Sequence, residues 1–282
     1  MHRCLIAGCG YLGEALGALL ASEGHTVFGL RRRAVRPSPG VEPFEADLGV
    51  PASLARLPGA LDFVFYLASP GGAEDALYRS AYVDGQRNLY QALASQGQRP
   101  RRVLFASSTA VYGQHDGEWV DESSPTEPVD FRGRRLLEAE RLLARGPFPG
   151  VAVRFGGIYG PRRSSLVAQV RAGRAVIRPG PPHYTNRIHR DDCAGVLRHL
   201  AQLEAPEPVY LGVDCEPASE ELVTCWLAGV LGAPPPRPGA PGADPERAGS
   251  KRCRNERLLA SGYEFQYPTF REGYTAVVAE LT

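Results

Sequence analysis

Six residues near the start, Gly8-Cys9-Gly10-Tyr11-Leu12-Gly13, constrain this chain more than anything else in it. Such a run has meaning only between a strand and a helix. Here Cys4-Leu5-Ile6-Ala7 precedes it, and a segment carrying Leu16, Leu19 and Leu20 on one face follows. Glycines permit the tight turn and a close approach of the backbone to a diphosphate, whose charge then faces the helix N-terminus. The pattern predicts a dinucleotide-binding strand–turn–helix, with Gly8, Cys9, Gly10, Tyr11, Leu12 and Gly13 around the pyrophosphate.

Downstream, short apolar runs alternate with longer amphipathic ones. Strands are predicted at Arg3–Ala7, Thr26–Leu30, Leu61–Leu67, Arg102–Ala106, Val151–Arg154 and Val209–Val213. Most are continuous apolar runs, as expected of strands covered on both faces. Helices are predicted at Tyr11–Glu23, Leu77–Gln96, Arg134–Arg145 and Ala194–Gln202. Strand–helix–strand repetition implies right-handed crossovers. The expected class is α/β, a Rossmann-type doubly wound parallel sheet with a small C-terminal substrate lobe. The alternation loosens near Gly156, so 1–155 is the expected nucleotide-binding domain. Residues 156–282 are the expected smaller lobe, interleaved with the last sheet strands. Six prolines and two glycines within 233–245 predict an exposed loop.

Composition closes off several functions. With 43% hydrophobic and 22% charged residues, the 282-residue chain has enough apolar surface to offset the entropy of ordering. A net charge of +1 and the absence of a recognition motif argue against nucleic acid as a partner. The six cysteines form no C-x-x-C pair and no zinc-ligand spacing with the six histidines, so no metal site is expected. They read as free thiols of a reducing cytoplasm, and no apolar run reaches the ~18 residues of a membrane span. Among 32 basic residues Lys251 is the single lysine.

The second strand selects the nucleotide. It ends Phe28-Gly29-Leu30-Arg31-Arg32-Arg33, with no acid before Glu42. A carboxylate at that end would bond a ribose 2′-hydroxyl, whereas a guanidinium accepts a 2′-phosphate, so Arg31 and Arg32 point to NADP rather than NAD. Asp47-Leu48 follows a third apolar element, where an acid can hold the adenine amino group.

Residues 102–113 read Arg-Val-Leu-Phe-Ala-Ser-Ser-Thr-Ala-Val-Tyr-Gly, and 153–161 read Val-Arg-Phe-Gly-Gly-Ile-Tyr-Gly-Pro. With the glycine loop, Asp62–Ser69 and Ile188-His189-Arg190-Asp191-Asp192, the chain resembles the extended short-chain dehydrogenase/reductase superfamily, the nucleotide-sugar epimerases, dehydratases and reductases. The resemblance implies that Ser108 bonds the reacting substrate oxygen and that Ala68, Ser69, Ser107 and Gly156 line the cofactor. The family's Tyr-x-x-x-Lys pair falls on Phe131 and Arg135. Arg135 could still grip the nicotinamide ribose, but Phe131 has no proton to give. Tyr112 is a candidate substitute. Asp84 stands where relatives commonly carry Asn, which is the look of the atypical branch. Tyr184, Asn186 and Arg187 fall where relatives face substrate, although Arg187 could instead pair with Asp191 or Asp192, and either acid could cap the helix that follows. The resemblance also implies a homodimer through the helices near 77–96 and 134–145. The implied function is hydride transfer by an NADP-binding oxidoreductase or epimerase-like protein on a small substrate, a sugar nucleotide or another anionic molecule. The alternative is a catalytically degenerate NADP-binding sensor.

Overall fold

The computed structural model describes residues 1–33, 38–239 and 249–281. The apolar runs become strands: Arg3–Ala7 (β1), Thr26–Arg31 (β2), Val41–Glu45 (β3), Phe63–Tyr66 (β4) and Arg102–Ser108 (β5). They join Gly150–Phe155 and Val209–Gly212 in a seven-stranded sheet of order 209–212, 150–155, β5, β4, β1, β2, β3. Pairing is parallel along β3, β2, β1, β4 and β5, with Leu5 opposite both Phe28 and Val64. Leu5, Ile6, Val64, Phe65, Tyr66, Leu104 and Phe105 have no exposed surface, because helices cover the sheet on both faces. The Rossmann-type doubly wound architecture expected from the sequence is present. β3 is a mostly exposed edge strand and carries Pro43 where an edge tolerates it.

Contacts divide the chain into two compact units. One comprises Met1–Val111, Thr126–Arg154 and Cys193–Tyr210; the other comprises Tyr112–Pro125, Phe155–Asp192 and Leu211–Thr282. In the first, Tyr11–Ser22 forms α1 and Asp75–Tyr78 forms α2. The helix expected over Leu77–Gln96 is broken by a wide, π-type turn over Arg79–Asp84, and Gly85–Ser95 continues as α3. Tyr66 explains the break, because its hydroxyl donates to the Ala81 carbonyl at 2.5 Å and holds that turn open. Phe131–Ala144 (α4) starts three residues earlier than the apolar pattern suggested, since the Asp130 carboxylate caps the Arg132 and Gly133 N–H groups at 2.9 and 3.1 Å.

The second unit has its own core, built on Phe270, Val223, Leu227, Tyr159 and Tyr274. Its C-terminal helix, Phe270–Ala279, opens with a reciprocal Thr269–Glu272 capping box. Within the proline-rich stretch, Arg237–Pro238 pairs with Val176–Ile177, so that part is a short strand; 240–248 lies outside the described residues. Among the described residues no helix is long and apolar enough to cross a membrane.

Candidate functional site

The glycine loop hangs from the end of β2. The Gly8 and Cys9 N–H groups donate to the Leu30 carbonyl at 3.2 and 3.0 Å, and Gly10 N–H donates back to Gly8 at 2.7 Å. Gly8 has φ +91°, and a Cβ there would stand 2.4 Å from the Ala68 backbone nitrogen, so only glycine lets the loop lie against the end of β4. Gly10 is different. A Cβ there would meet nothing nearer than the Gly8 carbonyl at 3.9 Å. Gly10 is also the N-cap of α1, with no side chain capping the helix. An uncapped 12-residue helix behind an open glycine is the cradle a pyrophosphate fills, so these residues fit a dinucleotide.

At the end of β2, Arg31 is not an open phosphate receptor. Its Nε donates to the Cys9 carbonyl, and its Nη2 meets Glu14 Oε1 at 2.6 Å. It braces the loop, leaving Arg32 and Arg33 exposed. Asp47 accepts the Gly49 N–H on Oδ1 at 2.8 Å, and the Leu48 carbonyl accepts from Asn88 at 2.8 Å, fixing this turn beside the strand ends. Ala68 is half-buried and Ser69 exposed.

At the end of β5 the two serines part company. Ser107 is buried and donates to Glu140 Oε1 at 2.5 Å, while Arg154 clamps the same carboxylate with Nη2 2.8 Å from Oε2. Its hydroxyl is therefore spent inside the fold rather than on a cofactor. Ser108 remains half-buried and accepts the Ala110 N–H at 3.2 Å, keeping its own proton to donate. Phe131 stands at the start of α4, edge-on to Tyr78 with ring centres 5.4 Å apart, and Tyr78 packs on Tyr82 in turn. Arg135 departs from its expected role. Its Nε and Nη2 grip both Asp75 oxygens at 2.8 Å and its Nη1 takes Glu138 at 2.8 Å, a carboxylate fork rather than a ribose contact. That guanidinium holds the Asp75 carboxyl below its ordinary range.

The second unit corrects four further expectations. Tyr112 is buried and donates its hydroxyl to the Asp121 carbonyl at 2.8 Å, which makes it a packing residue. Asn186 uses both ends of its amide on one strand, donating to Lys251 O at 2.9 Å and accepting Cys253 N–H at 2.8 Å. Arg187 is buried over the Phe270 ring at 5.6 Å and bonds Thr185, so it offers no exposed fork to a substrate and does not pair with either neighbouring acid. Asp192 does not cap its helix; it accepts from Tyr263 Oη and the Gln266 and Tyr267 N–H groups at 2.8–2.9 Å, tying down the 263–267 turn. Burial raises its carboxyl pKa. Gly156 lies where a Cβ would be 2.8 Å from the Asn186 backbone. Tyr184 is half-buried with the Arg252 guanidinium 4.7 Å from its ring centre.

Comparison with known proteins decides the family. The NAD dependent epimerase/dehydratase model matches residues 4–178. The chain belongs to the NAD dependent epimerase/dehydratase family. Protein YeeZ of Escherichia coli (strain K12) is 31% identical, over 95% of this chain and 97% of its own. A 3-diazoavenalumate denitrifying reductase of Streptomyces sp is 26% identical, over 96% and 98%. A Methylobacillus flagellatus protein described as an NAD-dependent epimerase/dehydratase superposes with a TM-score of 0.82 at 37% identity, covering 99% of this chain and 98% of that one. Human epimerase family protein SDR39U1 (isoform 2), solved with NADPH, shares the fold at 22% identity, covering 98% and 99%, with a TM-score of 0.82. The family comprises NAD(P)-dependent epimerases, dehydratases and reductases, consistent with hydride transfer.

No motif of this family member's sequence assigns a role to Glu140 or Arg154, yet both carry a signal. Glu140 interrupts the buried Leu136-Ala139-Leu143 stripe of α4, and Arg154 interrupts the apolar run 151–155. A charge on each of two apolar faces is the mark of a buried pair.

Proposed function

We propose that this chain is an NADP-binding oxidoreductase of the atypical short-chain dehydrogenase/reductase branch, acting on the carbonyl or hydroxyl of a small anionic substrate such as a sugar nucleotide. The observation that carries the reading is the open, uncapped glycine turn Gly8–Gly13 with arginines at the neighbouring strand end. Gly10 and the first turn of α1 receive the pyrophosphate, Asp47 the adenine amino group, and Arg32 the 2′-phosphate, while Arg31 holds the loop in shape. The cofactor supplies a hydride donor and acceptor at its nicotinamide ring. Ser108 orients the reacting oxygen, and the residue at 131 contributes an aromatic wall and no proton. That the Streptomyces relative is named a reductase supports reductase chemistry for this chain.

Ser108→Ala is expected to lower kcat/KM about 100-fold on any carbonyl substrate found by screening NADPH oxidation, the size of effect of removing one hydrogen-bond donor to a developing oxyanion. Unchanged turnover would remove Ser108 from the chemistry. The other reading, a sensor that binds NADP without turnover, is favoured by Phe131 and by the occupied Arg135 fork. It stands if the wild type turns over none of the substrates screened while NADPH changes its binding to a partner protein.

Nucleotide choice has its own test. Calorimetry should show NADPH bound at least about tenfold tighter than NADH, about 1.4 kcal/mol. Arg32→Ala should erase that difference, whereas Arg31→Ala should weaken both nucleotides together, because Arg31 shapes the loop they share. Equal affinities in the wild type would refute the preference.

A further inference from the structure

The only lysine of the chain, Lys251, sits 4% exposed in the strand Ser250–Cys253. This is an unusual place for an ammonium group, because a charge removed from water needs a partner. Among the described residues its Nζ has neither a hydrogen bond nor an ion pair. Among the described residues Glu118 is the carboxylate that acts on the amine, without reaching ion-pair distance. Glu118, opposite Lys251 in the pairing with Asp116–Val120, accepts the Asp116 N–H at 2.7 Å. Glu122 accepts the Leu211 N–H at 2.8 Å and faces Arg257 at 3.7 Å. Cys253 lies two residues on, and burial pushes its thiol up to about 12, so it is no anion at neutral pH.

The backbone makes room for this amine. Register slips between Ser250 and Lys251, pairing Ser250 with Asp116 and Lys251 with Glu118 and leaving Gly117, at φ +82°, unpaired between them. Such a bulge re-aims the side chain beside it. On the other side Gly249 has φ +42°, and a Cβ there would lie 2.9 Å from Lys251 Nζ and 2.5 Å from the Gln114 carbonyl. The strand itself is rigidly anchored: the Asn186 amide bonds both Lys251 O and Cys253 N, and Arg252, on the opposite face, donates to Gly117 O at 2.8 Å. An amine held in a buried strand, with no carboxylate at ion-pair distance among the described residues, has the character of a receptor.

We propose that the Lys251 amine is an oxyanion-binding site that receives a carboxylate or phosphate group of a small ligand. It is a site of the second unit alone and does not depend on the nicotinamide reading. Burial lowers the lysine's pKa in the free protein, and an oxyanion at the amine would raise it again. Because there is one lysine, protein grown on [ε-13C]lysine gives a single side-chain resonance, which can be titrated with pH alone, with inorganic phosphate, and with acetate. The expected result is a midpoint below that of an ordinary lysine, moved up saturably by about 1–3 pH units by one or both anions. A response to phosphate alone identifies a phosphate site, and a response to acetate alone a carboxylate site. A midpoint at the ordinary lysine value, or one that neither anion moves, overturns the proposal. Turnover is not read at any point, so this outcome is separate from the success or failure of the oxidoreductase assignment.

Discussion

Replacing Glu140 with Ala is expected to destabilise the protein by about 3–5 kcal/mol, the cost of breaking a buried ion pair from one side. Glu140 and Arg154 are 7% and 5% exposed, and Nε and Nη2 of Arg154 both contact the carboxylate. Removing it takes the carboxylate away from a buried guanidinium and from the Ser107 hydroxyl. Urea denaturation should show a lower midpoint at an unchanged slope. Replacing both partners, Glu140→Met with Arg154→Met, should recover most of the loss, because a well-packed apolar pair avoids both desolvation costs. A single-variant loss below about 1 kcal/mol would mean that the pair is hydrated and carries little. The network has a functional consequence too. Ser107 is the residue before Ser108, so the carboxylate that fixes one serine also fixes where the other points. Glu140→Ala should therefore impair any Ser108-dependent turnover even at temperatures where the variant remains folded.

The nucleotide half of the molecule was legible from sequence because its constraints are local. β1 matches its expected bounds, Arg3–Ala7, and α1 begins at Tyr11 as expected, since a glycine turn between an apolar run and an amphipathic one leaves few alternatives. Local reading failed where a side chain answers a distant one. Tyr66 opens the helix at Ala81 from 15 residues away, and no periodicity within 77–96 carries that information. Arg135 looked like a ribose ligand because its family counterpart is a lysine on the same helix face, yet Asp75, 60 residues earlier, takes its fork. Arg31 was read from the end of its own strand, whereas Glu14, on the next helix face, decides its orientation.

The polar run 183–192 misled for a related reason. Donors clustered in sequence suggested a surface built for a ligand, but Tyr184–Thr185 and Arg187–His189 are short strands, and all three residues of the second are buried. Asn186 then serves the neighbouring strand as a second backbone would, and Arg187 and His189 enter the core. Polar residues in a loop are free to bind, whereas those in a buried strand are satisfied first within the protein; of Arg187 the buried Nη1 is left without a hydrogen-bond partner among the described residues.

Raising the pH from about 4 to 8 is expected to weaken the wild-type fold more than that of an Asp214→Asn variant. Asp214 is 1% exposed, accepts the Glu216 N–H on Oδ1 at 3.2 Å, and has no hydrogen-bond partner for Oδ2 among the described residues. Burial pushes its carboxyl up from 3.8 to about 8, although Arg187 pulls the other way. Between those two values the folded protein holds a proton that the unfolded chain has released. The stabilisation is therefore complete below the unfolded pKa and is lost as pH rises through the folded one, at up to about 1.4 kcal/mol per pH unit. Asparagine keeps the shape and the Oδ1 acceptor without a titrating proton. Chemical denaturation across this range should find the two proteins closest in stability near pH 4 and the variant more stable near pH 8. The other buried titratable groups, Asp192 with its raised pKa and His189 with its lowered one among them, are common to both proteins, so the difference in slope belongs to Asp214. A variant less stable at every pH with the wild-type slope would mean the opposite: that Asp214 is ionised throughout, as the counter-ion of Arg187.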